Sequence, residues 1–398
     1  MSVERLHVAI FSDSALPILN GVSVSIDALV RELRNAGHSV VVFTAGHPFY
    51  RDPDPNTYRF FAVQTPWTKG YPLAVPPFYF MLHQFRKHRF DIIHTHTPFT
   101  LGTVGLRWSQ SHEIPIVSTY HTLYDRYAHY IPYFPRRYVR FKIAKHTNFY
   151  YNHVDHIITP SEASLKWLRR HSVEKPITVI PTGIASPNSY PRDEVRSHLG
   201  IEPDHKVLLY VGRIAIEKNL DCLFHAVSLA MAKDPKIRFW LVGDGPYRRD
   251  CMAMARNRGI GDRVRMVGFV TREKVDRYYS AADLFVFSSI TETQGLVIQE
   301  AMSHGLPAVV IAGGGAEASV VHGINGLVVK NVPAEFAQAI LSLMSDPERY
   351  SKLALAAKES TSEFGTKRMC ERVVEVYRQV IRQKQSTHAE KTSPTGQS

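Results

Sequence analysis

At 398 residues, 44% hydrophobic and 21% charged, the chain is too long for one ordinary domain and too rich in apolar side chains to stay unfolded. Its cysteines, Cys222, Cys251 and Cys370, are scattered and odd in number without a CxxC, which excludes a disulfide or zinc framework and fits a reducing compartment. A formal charge of +12 favours polyanionic partners.

The first apolar run, HVAIF at 7–11, follows Glu4 and Arg5 and reads as a strand, not as a secretory signal. A loop containing Asn20, Gly21 and Val22 leads to a helix whose apolar positions Ile26, Leu29, Val30 and Leu33 recur at helical spacing, closed by Gly37. SVVVFTA is the next strand. The longest apolar stretch, YPLAVPPFYFML at 71–82, holds three prolines and falls well short of the roughly 20 residues of a membrane span, so no crossing is expected.

Between 86 and 145, ten cations stand against three carboxylates, a net +7. Such a block attracts nucleic acid or an anionic lipid surface, or is a solvated basic face. Within it, DIIHTH puts His94 and His96 on one side of a continuing strand, as a metal pair without a visible third ligand or as the lining of a binding cleft. PIVSTY then delivers His121. Tyr127, Tyr130, Tyr133, Phe134, Tyr138 and Phe141 follow, interleaved with Arg136, Arg137, Arg140, Lys142 and Lys145. On an amphipathic segment this suits an anionic bilayer interface; the other reading is a helix with rings in the core and cations in water. HIITPS and ITVIPTG complete a βαβ series, which implies a parallel sheet covered by helices.

The pattern restarts after PTGIASPNSYP at 181–191. KVLLYVG leads to GRIAIEKN, which sets Arg213 and Lys218 in the loop at the strand's carboxyl end, a planar fork and a compact charge for phosphate oxygens. VGDGP at 242–246, with Gly243 and Gly245, and GGGAE at 313–317 occupy equivalent strand ends and permit close backbone approach to a ligand. No P-loop occurs. LFVFSS runs into ETQGLVIQE at 292–300, where a helix begins near Gly295. The amides from Thr293 through Gln294 and Gly295 to Leu296 make an anion site, with Glu292 before it and Glu300 more than a turn inside. Two carboxylates flanking an anion site suit hydroxyl-rich groups on either side of a phosphate, such as a ribose and a sugar. Spacing of eight excludes a capping box.

In order and spacing, Glu292, seven residues, Glu300 and AMSHGLP, preceded by GRIAIEKN, resemble the retaining glycosyltransferases of family 4 over about residues 5–382. The resemblance implies an α/β, GT-B fold: two tandem Rossmann-like domains with a cleft between them. It divides the chain into 1–186 for acceptor and membrane, 187–365 for the nucleotide sugar and a helix 366–382 packing back on the first domain; the polar composition of 383–398 implies a disordered tail. It implies that Arg213 and Lys218 hold the donor diphosphate, Glu300 the ribose and Glu292 the transferred sugar. Backbone around Thr293–Leu296, with the loops of Gly21 and Gly243, meets the phosphates, and no metal or other cofactor is needed. His121 lies by the reacting sugar with its chemical role open. The run TYHTLYDRYAHY is similar to the family's diacylglycerol glucosyltransferases, peripheral enzymes acting on a membrane lipid. The expectation is therefore a hexosyltransferase moving glucose from UDP-glucose to diacylglycerol at the inner face of the cell membrane, with Tyr127, Tyr130, Arg136, Arg137, Arg140 and Lys142 on the acceptor and membrane side. The alternatives are a GDP-mannose-dependent enzyme with a phosphoinositide-type or soluble acceptor and, from another class, a nucleic-acid-binding protein, for which no motif is present.

Overall fold

The computed structural model describes residues 5–18, 20–47, 50–63, 73–75, 79–122 and 134–392. Tyr127 and Tyr130 lie outside the described residues. The chain forms two compact units: 1–183 joined by 366–398, and 184–365.

In the first unit, β1 (His7–Ser12), α1 (Gly21–Asn35), β2 (Ser39–Ala45) and β3 (Thr57–Phe60) are followed by a short antiparallel ribbon, β4 (Ala62–Val63) and β5 (Leu73–Ala74). Then come α2 (Tyr79–Arg86), β6 (Ile92–Thr95), α3 (Thr100–Ser111), β7 (Ile116–Thr119), α4 (Arg136–Tyr151), β8 (His156–Thr159), α5 (Glu162–Arg170) and β9 (Ile177–Val179). Seven strands make one parallel sheet in the order β3-β2-β1-β6-β7-β8-β9. β1 and β2 are buried on both faces, as expected where helices cover a parallel sheet. One face carries a ring cluster in which Phe11 and Phe43 stack at 4.7 Å. Asn20 caps α1 through a capping box with Ser23, so that helix starts sharply behind the β1 loop.

The second unit holds α6 (Arg192–His198), β10 (Lys206–Val211), α7 (Leu220–Lys233), β11 (Ile237–Val242), α8 (Arg248–Asn257), β12 (Val264–Gly268) and α9 (Arg272–Ala281). It continues through β13 (Leu284–Phe287), α10 (Leu296–Ser303), β14 (Ala308–Ile311), β15 (Gly326–Val329), α11 (Pro333–Met344) and α12 (Pro347–Ser360). Its parallel sheet runs β12-β11-β10-β13-β14-β15 around a single core.

The last helix, α13 (Thr366–Thr392), belongs to the first unit. Met369, Cys370, Val373, Val374, Tyr377 and Val380 recur at helical spacing and bury against Ile26, Leu29 and Leu33 of α1. Two expected boundaries shift. The units divide at 183/184 and not at 186/187, because Gly183 donates to Met369 Sδ (3.1 Å) within the first unit while Ile184 donates to Phe364 O (2.8 Å) within the second. The segment 383–392, expected to be disordered, continues α13. Its Gln, Lys, Ala and Glu residues favour helix, and Lys384 approaches Asp155 at 3.4 Å.

Among the described residues no helix is long and apolar enough to cross a membrane.

Candidate active site

Each sheet reverses its strand order once, between β1 and β6 in the first unit and between β10 and β13 in the second. Open parallel sheets bind ligands beyond the carboxyl ends of strands at such reversals, where adjacent loops diverge to opposite faces. Arg213, Lys218, Glu292 and the 293–296 turn leave β10 and β13; His96 leaves β6, and Gly21 closes the loop that leaves β1.

In the second unit the loops after β10 and β13 are laced together. Lys218 Nζ donates to Glu292 Oε1, and the pair is mostly buried. Ser288 Oγ donates to Lys218 O (2.8 Å), and Asn219, left-handed at φ 56°, donates to Ser288 O (3.2 Å). Tyr210 OH, fully buried, donates to the carbonyl of Arg213 (3.1 Å) and so fixes the start of that loop. Gly243 leaves β11 so close to β10 that a Cβ would sit 1.9 Å from Gly212 O, which makes glycine a packing requirement there.

Gly295, the residue before α10, is left-handed at φ 76°, and a Cβ on it would press Ile298 Cδ1 at 2.9 Å. The amide of Gly315, from the third glycine-bearing loop, donates to Glu292 O (2.8 Å) and braces the turn. Gln294 differs from its neighbours. Its side chain turns inward to Gln299 Oε1 (2.9 Å), and Gln299 in turn reaches Ser319 Oγ (3.1 Å).

Glu300 is buried on α10, with Oε1 at 2.6 Å from Arg272 and Oε2 accepting from Tyr279 OH at 3.0 Å. Burial raises its pKa, and the Arg272 guanidinium opposes that rise. Sequence reasoning missed both partners. Arg272 opens α9 and Tyr279 is near its end, so neither carries a local signal pointing at Glu300, more than twenty residues on.

In the first unit three imidazoles gather. His94 Nδ1 is 2.6 Å from Tyr377 OH and its Nε2 is 2.7 Å from Thr119 Oγ1. The rings of His94 and His96 lie 4.1 Å apart, and His96 Nδ1 is 2.9 Å from His121 Nε2. All three are buried, and burial lowers their pKa values, to about 3 for His94 and about 4 for His121. They are neutral at pH 7. Among the described residues no group of three His, Cys, Asp or Glu side chains is arranged to hold a metal ion. Asp13, overlooked in the sequence, accepts from Thr97 Oγ1 (2.6 Å) and from the Leu101 amide (3.0 Å) at the start of α3. Gly21 is exposed, and a Cβ there meets no described atom within 4 Å, so the fold itself does not demand glycine.

α4 divides its rings between the two expected fates. Tyr150 and Tyr151 are buried with Val139, whereas Tyr138, Phe141 and Phe149, with Phe134 just before the helix, are exposed beside Arg136, Arg137, Arg140, Lys142 and Lys145. Lys142 Nζ stands 5.5 Å from the centre of the Tyr138 ring.

The families described as "Glycosyltransferase Family 4" and "Glycosyl transferases group 1" match residues 19–186 and 191–360 respectively. The alpha-monoglucosyldiacylglycerol synthase of Streptococcus pneumoniae is 33% identical over 324 residues, covering 76% of this chain and 70% of that protein. The enzyme of the same name from Acholeplasma laidlawii is 30% identical over 373 residues, 90% of this chain and 93% of its own. The solved sucrose-phosphate synthase of Thermosynechococcus elongatus superposes with a TM-score of 0.78 at 26% identity, over 94% of this chain and 99% of that one. With two Rossmann-like parallel sheets matched in both halves, the chain belongs to glycosyltransferase family 4, has the GT-B fold, and is a hexosyltransferase homologous to the diacylglycerol glucosyltransferases.

Proposed function

We propose that the chain transfers glucose from UDP-glucose to the free hydroxyl of diacylglycerol, with retention at the anomeric carbon and without a metal, while attached peripherally to the inner face of the cell membrane. The observation that carries the acceptor half is α4 with its lead-in, where Phe134, Tyr138, Phe141 and Phe149 are exposed on a segment that also exposes five cations. Rings at headgroup depth and cations on lipid phosphates both gain there, whereas in water the exposed rings gain nothing. A groove of about 500 Å³ between α3 and α4, lined by Phe99, Val104 and Ile143 with Arg107 and Lys142, supports an amphiphilic acceptor. The names of the two relatives favour glucose and diacylglycerol.

In the reaction the bond between the anomeric carbon and the diphosphate oxygen breaks, and a bond from that carbon to the lipid oxygen forms on the same face. The lipid hydroxyl gives its proton to the leaving phosphate. Arg213, Lys218 and the amides of Thr293–Leu296 hold that diphosphate; two cations and a helix terminus supply the positive charge that its departure demands. Lys218, with three donors, bridges Glu292 and a phosphate oxygen. Glu292 takes hydroxyls of the glucose and Glu300 those of the ribose, while Gly21 and Gly243 let the backbone come close to the phosphates. His121 stands beside the reacting sugar.

The test is purified full-length protein with diacylglycerol or phosphoinositide vesicles and a panel including UDP-glucose and GDP-mannose, with products identified by mass. Glucosyl-diacylglycerol, made faster on vesicles containing anionic lipid, is expected. Mannosylated phosphoinositide would replace this reading with the GDP-mannose alternative, and no lipid product from any donor would sink the acceptor assignment.

A further inference from the structure

The neutral histidine cluster holds information about proton placement. His96 Nδ1 and His121 Nε2, 2.9 Å apart, share one proton. If His121 supplies it, neutral His96 must carry its own proton on Nε2. That atom is buried and meets no hydrogen-bonding group among the described residues, so the N–H would be stranded. If His96 Nδ1 supplies the proton, Nε2 is left bare, and only a lone pair goes unsatisfied. Buried donors without acceptors are rarer in folded proteins than under-satisfied acceptors, which decides for the second arrangement. His121, accepting at Nε2, then carries its proton on Nδ1.

His94 is held at both nitrogens, by Tyr377 OH and Thr119 Oγ1, and its ring lies against that of His96. Tyr377 comes from α13, so that helix supplies one of the two partners of His94.

We infer that His96 is a positioning residue which donates through Nδ1 to His121 and thereby fixes His121 as the Nδ1–H tautomer, making it a hydrogen-bond donor and not a proton acceptor in the transfer reaction. This rests on the placement of His121 beside the reacting sugar. It assigns a chemistry to that residue: an Nδ1–H that orients a sugar hydroxyl or phosphate oxygen, while the acceptor's proton goes to the leaving phosphate.

The tautomers are read directly by long-range nitrogen–proton correlation spectra of the full chain labelled with ¹⁵N-histidine, with resonances assigned by single substitution. His96 and His121 are both expected to be protonated at Nδ1; a His121 ring protonated at Nε2 overturns the inference whatever the variants do. His96→Asn keeps a donor near the place of Nδ1, and His96→Leu removes it. His96→Leu is expected to lower kcat about 10–100-fold, in the range typical of lost orienting partners, with the His121 tautomer no longer unique. His96→Asn is expected to recover most of that loss, and KM for the donor to move less than about 3-fold in either. Equal kcat for the two variants, both folded by thermal melting, counts against the inference. His121→Ala examines the underlying placement separately: unchanged transfer removes His121 from the reaction while the tautomer spectra still stand.

Discussion

The two strand-reversal sites occupy equivalent places in their sheets and are built from opposite chemistry. At β10 and β13 basic and acidic side chains are matched in pairs, Lys218 with Glu292 and Arg272 with Glu300. Around β6 and β7 they are imidazoles whose pKa values burial lowers, with the buried carboxyl of Asp13 after β1, whose pKa burial raises. Under the proposed function the same backbone geometry would serve two tasks: fixed charges of both signs for a diphosphate flanked by hydroxyls, and a cluster of neutral rings to orient hydroxyls without adding charge. Pairing also explains how the second unit tolerates buried ions, since a lone buried charge is costly and a matched one much less so.

The contrast breaks most visibly at Lys218. Lys218→Ala should lower kcat/KM about 100–1,000-fold, the scale of losing one donor to a developing anion, and should lower Tm because Glu292 loses its partner. The Lys218→Met/Glu292→Gln double variant should recover Tm but not activity. If Tm is unchanged in the single variant, the pair does not stabilise the loops. Arg272→Ala should cost less, about 10–100-fold in kcat/KM, expressed mainly as weaker UDP binding in calorimetry. Without the guanidinium the Glu300 pKa climbs further, so that loss should deepen as pH falls; a pH-independent loss would separate Arg272 from Glu300.

Charge on α4 is a third, smaller lever. Arg136→Glu with Arg140→Glu should weaken binding to anionic vesicles at least about 30-fold, from about 1 kcal/mol per cation lost near such a surface. Transfer to a water-dispersed short-chain diacylglycerol should be unchanged. Equal vesicle binding by wild type and variant in sedimentation would remove α4 from the membrane.

The mildest test is pH. His94 and His121 have folded pKa values below the ordinary 6.5, at about 3 and about 4. Between pH 6.5 and about 3 the unfolded chain binds protons that the folded unit refuses, so their contribution is full above 6.5 and is lost as pH falls through that window. Burial of Glu300 works in the other direction, because its folded pKa is raised and the folded state takes a proton first. Hydrogen exchange at pH 5, corrected for intrinsic rates, should show β6 and β7 losing more protection than β13 and α10. Equal loss in both units would end the electrostatic contrast.

Much of this was legible from local pattern. Alternation of short apolar runs with helical spacing located the βαβ series, and the restart after 181–191 indicated two units. Which loops lie at carboxyl strand ends follows from that order, so Arg213, Lys218 and Glu292, with Glu300 eight residues further on, could be singled out. The exposed rings of α4 were not legible. Tyr150 and Phe149 are adjacent in sequence and alike in chemistry, and only packing against Thr95 and Gly102 sends one inward.

What the sequence determined by itself is the set of elements, their order and the chemical character of each strand-end loop, because backbone periodicity, glycine and charge act over a few residues. Partner choice was decided only by tertiary structure. Lys218 meets Glu292 across 74 residues, and His94 meets Tyr377 across 283. Those distances are closed by parallel strand pairing and by α13 returning to the first unit. A local pattern cannot encode which of many cations reaches which carboxylate, or which hydroxyl reaches a buried imidazole, until the sheets bring their loops together.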